Sequence, residues 1–389
     1  GELVLRGGGD PFLNAADLDA AAEAVARAGI ARVARGVAID DSRYETPGYP
    51  PGWSWDDFPF AYAPVVSALS FEENVVHLTV TPGPAAGAPA TVSAAPFGVV
   101  AAPPDGCQPG VGVRLVPNVL TGAASAKDTA DVERDRAGCI QVTGTIPLGA
   151  QPDAIDAAVV SPAAYAHDAF AAALARRGVA VSEPPAAPAP WPAALEHRTV
   201  PAPSPRAAVL WAHDSQPLRD TLADMWVPSD NLVAELLLRE LGFARSGAPG
   251  TTEHGVAFEK NWLRALGVDA DALAIADGSG LSGYDRITAR DLVTVLRHDW
   301  NGPYRALVLD DLPVAGVSGT LKSAFKGTPA EKRVFAKTGT ISHVSTLAGY
   351  AANRRHGAVI FAFQVDDWAG GAGALRELRG RVLSLLVTR

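Results

Sequence analysis

Residues 183–206, EPPAAPAPWPAALEHRTVPAPSPR, separate two stretches of different texture. Proline removes a backbone donor and fixes φ, so neither a helix nor a central strand runs through such a segment. It reads as a connector. Before it, the apolar spacing changes twice. AADLDAAAEAVARAGI puts Leu18, Ala22, Val25 and Ala26 on one helical face, with Gly29 placed to stop it. Residues 76 to about 151 alternate apolar and polar side chains, as in VVHLTVTP and CIQVTGTIPL, and predict strands between Gly/Pro turns. A helix returns at SPAAYAHDAFAAALARRG, with Pro162 in its first turn and Gly178 at its end. After the connector the spacing is helical in PLRDTLADMW, NLVAELLLRELG, AFEKNWLRALG and TARDLVTVLRHDW. Two strands, STLAGYAA and GAVIFAFQV, follow around the turn NRRH, and a last helix covers ALRELRGRVLSLLV. This mixture predicts an α+β fold with helices on an antiparallel sheet.

Composition narrows the function. The chain of 389 residues carries a net charge of −9 and no Lys/Arg run, which argues against a nucleic-acid partner. No stretch reaches the roughly 18 apolar residues of a transmembrane segment. Cys107 and Cys139 flank a Gly/Pro/Asp-rich segment. Paired, they would close a loop worth about 3–4 kcal/mol; two free buried thiols are the other reading. The histidines have no metal-ligand spacing, and G-x-S-x-G and H-E-x-x-H are absent from the sequence. RGGGDP lacks the lysine and spacing of a phosphate loop and reads as a turn. No metal and no cofactor are expected.

The residues with chemistry lie late in the chain. Ser229-Asp230-Asn231 alone is a helix start, since each type can cap. Lys337-Thr338-Gly339, followed by Thr340, closes a strand in RVFAKTGTISHVSTLAGY. A surface turn needs only the glycine; a lysine and two hydroxyls beside it suit a carboxylate. In this order, about a hundred residues apart, the two tripeptides match two of the three motifs of penicillin-recognising serine enzymes. DGSGLSGYDRIT between them, the run SGTLKSAFKGTPAEKRVFAKTGT, and the openings GELVLRGGGDPFL and IDDSRYETPGYPPGWSWDDFPFAYAPVVSAL extend the match. Together they resemble the class C low-molecular-mass penicillin-binding proteins, the D-alanyl-D-alanine carboxypeptidases and endopeptidases.

The resemblance implies a penicillin-recognising (β-lactamase/transpeptidase-like) peptidase domain with two nested inserted domains, the inner one mostly β. Residues 1–75 and 152–204 would form the first insertion, 76–151 the second, and 205–389 the C-terminal part of the peptidase domain. It implies a penicillin-sensitive serine-type D-Ala-D-Ala carboxypeptidase, also a DD-endopeptidase, that acts through an acyl-enzyme on peptidoglycan stem peptides. β-Lactam antibiotics would be inhibitors, and the location extracytoplasmic, in the periplasm or cell envelope. Ser229, Asn231 and Lys337 would be catalytic: Ser229 relays a proton to the leaving amine, Asn231 binds the substrate amide, and Lys337 fixes the terminal carboxylate. Thr338, Gly339 and Thr340 would bind substrate along the strand edge, with the Thr340 N–H as an oxyanion donor. Asp230 would be structural.

The family's nucleophile motif, S-x-x-K, belongs upstream of GELVLRGGGDP. Within the sequence only Ser323-Ala-Phe-Lys326 has the spacing, and its place in the segment before Lys337 marks it as chance. The expectation is a fragment of a normal enzyme that is inactive by itself. A two-piece protein and a non-catalytic peptidoglycan- or β-lactam-binding relative are the alternatives. Asp277, Ser279 and Ser282 are read as support for the site, His213 as a loop or packing residue and His343 as a surface turn. The aromatic patch Trp53, Trp55, Phe58, Phe60 and Tyr62 is expected to be buried, not a sugar-stacking surface.

Overall fold

Asn14 starts the first helix by satisfying backbone donors that have no partner within it. Its side chain accepts the N–H groups of Ala16 and Asp17, and the Asp17 carboxylate returns a bond to the Asn14 N–H at 3.0 Å. Helix α1 (Ala15–Arg27) buries Leu18, Ala21, Ala22 and Val25. Ala21 takes the place expected for Ala26, which packs at the margin of the core, so the buried face is rotated slightly from the sequence estimate. Helix α2 (Pro162–Arg176) begins on Ser161, whose hydroxyl accepts the Ala164 N–H, and packs against α1.

The computed structural model describes residues 1–45, 48–95, 98–99, 115–135, 139–182, 207–247, 249–367 and 372–389. The connector 183–206 and Cys107 lie outside the described residues. Cys139 is fully buried and disulfide-bonded. The chain divides into two compact units: Gly1–Ser215 with Arg239–Thr251, and Gln216–Leu238 with Thr252–Arg389.

In the first unit, β1 (Leu3–Arg6) pairs in parallel with β3 (Val37–Asp40), and β2 (Arg32–Val33) with β11 (Ala180–Val181). A four-stranded sheet has β4 (Val75–Thr81) between β10 (Asp153–Ala158) and β5 (Thr91–Ala95), with β6 (Gly98–Val99) at its edge. A three-stranded sheet places β9 (Ile140–Pro147) between β7 (Leu115–Gly122), parallel to it, and β8 (Asp131–Arg134), antiparallel. Strand β4 follows the predicted alternation: Val76, Leu78 and Val80 face the core while His77, Thr79 and Thr81 face water. The aromatic patch is only partly buried. Trp53 is in the core and Tyr49 stacks on Phe58 at 3.9 Å, but Trp55 is 75% exposed, and Tyr62, stacked on Phe60, is 47% exposed. His213 lies exposed in a loop, its Nε2 3.0 Å from Asp10 and its Nδ1 3.5 Å from Asp17, with Trp211 stacked on its ring.

The second unit centres on an antiparallel meander of β12 (Val334–Ile341), β13 (Val344–Asn353) and β14 (Gly357–Val365). Asn353 shapes the NRRH turn by accepting the N–H groups of Arg355 and His356. Helix α8 (Ala372–Thr388) covers one face, where Leu383 and Val387 join Val334, Ala336, Leu347, Ala351 and Phe361. Against the other face lie α3 (Leu218–Trp226), α6 (Ala289–Asn301) and the unpredicted α7 (Arg305–Asp311), through Trp226, Leu296, Val308 and Leu312 packed with Phe335 and Tyr350. The Tyr350 hydroxyl donates to Leu296 O at 2.8 Å. Helix α5 (Thr252–Ala265) and the first half of α4 (Asn231–Ser246), as far as Leu238, complete the set. Helices mixed with mostly antiparallel strand pairs make this the α+β class expected. Leu347 is 1% exposed and sits opposite Thr338 in the ladder. Leu347→Ala is expected to cost about 2–5 kcal/mol in denaturant unfolding; a loss below about 1 kcal/mol would show that the α8 face does not hold β12.

Candidate active site

Between Trp226 and Asn231 the chain must leave one helix and start another. The Asp230 N–H reaches back to Met225 O at 2.9 Å, and Ser229 takes φ +72. Left-handed backbone costs a residue with a Cβ about 1–2 kcal/mol, and such strain persists where the surrounding fold demands it. Asp230 is the cap, its carboxylate accepting the Val233 N–H at 2.9 Å. That frees Ser229 from capping, a division of labour that the tripeptide alone leaves open.

Strand β12 brings the second group. Its period of two sends Val334 and Ala336 to the α8 face and Phe335 and Lys337 to the opposite one. On that side the Lys337 ammonium donates to Ser229 Oγ, 108 residues earlier, and to Thr338 O at 2.9 Å. Burial strips water from the ammonium and pulls its pKa from 10.5 down to about 8.

The outer edge of β12 changes character at the same point. Up to Ala336 it is paired: Ala315 N–H donates to Val334 O, and Ala336 N–H to Pro313 O. Among the described residues no backbone segment continues that pairing past Ala336. By the alternation of an antiparallel ladder, the N–H groups of Thr338 and Thr340 face the same open side. Gly339 has a local cause. A Cβ there would lie 2.5 Å from Thr346 Oγ1, on the paired strand. Thr338 Oγ1 donates to Thr320 Oγ1 at 2.8 Å, while Thr340 is exposed. His343 lies in the tight turn after the strand, exposed and at φ +64. Ser323 and Lys326, the one S-x-x-K spacing, are both exposed and not bonded to each other.

Helix α4 also anchors a loop. One turn after Asn231, the fully buried Glu235 accepts the N–H groups of Gly278 and Ser279 at 2.9 and 2.8 Å. Asp277 accepts the N–H groups of Gly280 and Ser282 and the hydroxyl of Ser279, so these serines are engaged in holding the turn. Asp285 accepts the Ala276 N–H, and burial together with a hydrogen bond to Asp277 pushes its pKa up to about 8. Burial and the Asp277 charge push Glu259 up as well. Sequence reading missed Glu235 and Thr320. The one signal for Glu235 was a lone acid in the apolar run NLVAELLL; Thr320 had none.

Two titrations follow. NMR of the Lys337 side chain is expected to show deprotonation centred near pH 8; a midpoint near 10.5 would mean that the ammonium is not buried against Ser229. For Asp285, the unfolded carboxyl ionises near 3.8 while the folded one keeps its proton to about 8. Its stability contribution is therefore present at low pH and lost as pH rises through that window. Asp285→Asn should melt above the parent at pH 7.5 and level with it near pH 4. A variant that melts lower at both pH values would refute the shared proton.

Comparison with known proteins gives the chain's family. The chain is 35% identical over 361 residues to a D-alanyl-D-alanine carboxypeptidase of Actinomadura sp. (strain R39), an alignment covering 90% of this chain and 63% of the relative. The chain thus spans less than two thirds of that relative's length. It is 24% identical over 379 residues to D-alanyl-D-alanine carboxypeptidase DacB of Haemophilus influenzae, covering 95% of this chain and 73% of that one. In structure it resembles penicillin binding protein 4 (dacB) from Haemophilus influenzae, with a TM-score of 0.80 at 22% identity over 100% of this chain and 83% of that one. A second structure of that protein, complexed with a β-lactam, gives 0.71 at 23% identity, covering 100% and 82%. The family model for D-Ala-D-Ala carboxypeptidase 3 (S13) matches residues 1–379. The chain belongs to the D-Ala-D-Ala carboxypeptidase 3 (S13) family.

Proposed function

We propose that these residues form the substrate-binding and proton-relaying part of a serine-type D-Ala-D-Ala carboxypeptidase, which also cleaves peptide cross-links, acting on peptidoglycan outside the cytoplasm. The observation that carries this reading is the Lys337–Ser229 contact, a lysine held beside a strained serine next to an open strand edge. The nucleophile would come from an S-x-x-K segment outside these 389 residues, so the chain by itself would not acylate. The domain division implied by the sequence, with two nested insertions and a peptidase part from residue 205, is part of the same proposal.

Each side chain has a task in acyl transfer. The nucleophilic serine would pass its proton to the lysine of its own S-x-x-K segment as its oxygen attacks the carbonyl between the two D-alanines; the carbon–nitrogen bond breaks as the terminal D-alanine leaves, and water then releases the acyl group. The departing amine needs a proton. Ser229 would give its own and regain one from the Lys337 ammonium. A lysine near pKa 8 is suited to that exchange, because a relay works best when its pKa lies close to the working pH. Asn231, at the start of α4, would hold the substrate amide. Lys337, Thr338 and Thr340 would face the terminal carboxylate, and the Thr340 N–H would donate to the developing oxyanion. The peptide would lie along the open edge beyond Ala336 as an added strand. The chemistry calls on no metal or cofactor. A β-lactam, whose ring mimics the dipeptide, would be trapped at the acyl stage.

Intact-mass spectrometry of the natural protein, before and after benzylpenicillin, tests the reading. One penicillin increment on the natural protein, with none on the 389-residue chain, is the expected result. Lys337→Ala should slow labelling by roughly 10²-fold or more with an unchanged circular dichroism spectrum. Full-rate labelling of that variant would remove Lys337 from the mechanism. A natural protein that binds penicillin only reversibly would be a non-catalytic peptidoglycan- or β-lactam-binding relative.

A further inference from the structure

The geometry points to Thr320 as a positioning residue that turns the Thr338 hydroxyl toward a ligand carboxylate. The inference rests on the reading of the Lys337–Thr340 edge as a carboxylate anchor. A threonine hydroxyl has one proton to donate and two lone pairs to accept with. Thr338 gives that proton to Thr320 at 2.8 Å. It therefore has none left for a carboxylate, which only accepts. Rotating both O–H bonds reverses the bond without moving a heavy atom: Thr320 then donates to Thr338, and Thr338 donates outward. Hydrogen bonds aligned head to tail in this way polarise one another, so the outward donor is strengthened.

Thr320 is built for this and not loosely placed. Among the described residues its hydroxyl makes no hydrogen bond other than that to Thr338, so its proton is free to be redirected. Its backbone is fixed on both sides. Gly319 stands at φ +54, and a Cβ there would lie 2.6 Å from Val227 O, two residues before Ser229. Leu321, 3% exposed, is part of the core beneath β12 with Val334 and Ala336. The Gly316 N–H donates to Leu321 O at 2.9 Å, and the Lys322 N–H to Gly319 O at 3.1 Å. The turn thus braces the Ser229 segment against the Lys-Thr-Gly strand and leaves one hydroxyl exposed at the junction.

Acylation of the natural protein by benzylpenicillin and by its methyl ester, which lacks the carboxylate, tests this with saturation kinetics. The parent is expected to prefer the free carboxylate. Thr320→Val should weaken half-saturation by benzylpenicillin about 5- to 10-fold, leave the maximal acylation rate within about two-fold, and leave the ester unaffected. Thr320→Ser should restore the parent's preference. A valine variant that keeps the full preference, or that loses rate equally on both compounds, would overturn the role of Thr320 alone. A parent indifferent to the carboxylate would overturn the anchor reading, and the role of Thr320 with it.

Discussion

Lys337 gives up much of its hydration to reach Ser229, and the second unit is arranged around that contact. Desolvating an ammonium is unfavourable, and the depressed pKa records the cost. The partners are a neutral hydroxyl and a backbone carbonyl, not a carboxylate, so the charge is hydrogen-bonded without being neutralised. Such a lysine is primed for an incoming anion. An ion pair within the protein would have raised its pKa and filled the place that the proposed substrate carboxylate needs. The backbone at Ser229 carries a complementary burden, left-handed without being glycine. Both features weaken the isolated fold, and both bring one ammonium and one hydroxyl together across 108 residues.

The surroundings compensate through backbone hydrogen bonding. Asp230 takes over the capping of α4, Glu235 and Asp277 gather the N–H groups of the 278–282 turn, and the 313–315 segment pairs the first half of the β12 edge. Among the described residues no backbone pairs with the second half, which carries the residues that the proposed mechanism uses. An open edge is a hazard for a soluble sheet, because it invites pairing with any extended chain. Here its exposed length is short, from Lys337 to the turn at His343. The carboxylates gathered under the 277–285 turn are unusual in sharing a site, and the proton kept by Asp285 lets them coexist.

Much of this was legible in the sequence where the cause is local. The apolar face of α1 recurs every three or four residues, the β4 alternation is carried by adjacent residues, and Pro162 stands at the head of α2. The two tripeptides were readable because their order and separation narrow the chemistry they can serve. Thr320 and Glu235 were not. Thr320 meets a hydroxyl 18 residues away, its neighbour Gly319 closely approaches the Val227 backbone, and Glu235 binds amides more than 40 residues away. The aromatic patch misled in part: ring content argues for burial, yet Trp55 stands in solvent.

By itself, then, the amino-acid order determined the α+β class, the main helices and strands of both units, and the presence of a serine, an asparagine and a lysine of the right types in the right order. These depend on periodicity, capping and spacing, which act over a few residues. Only the tertiary structure decided that Ser229 is strained while Asp230 caps, that Lys337 is half-buried against that serine, and that among the described residues the β12 edge is unpaired beyond Ala336. Those outcomes depend on which distant segments exclude water from a charge and which satisfy a strand edge, and no local pattern encodes either.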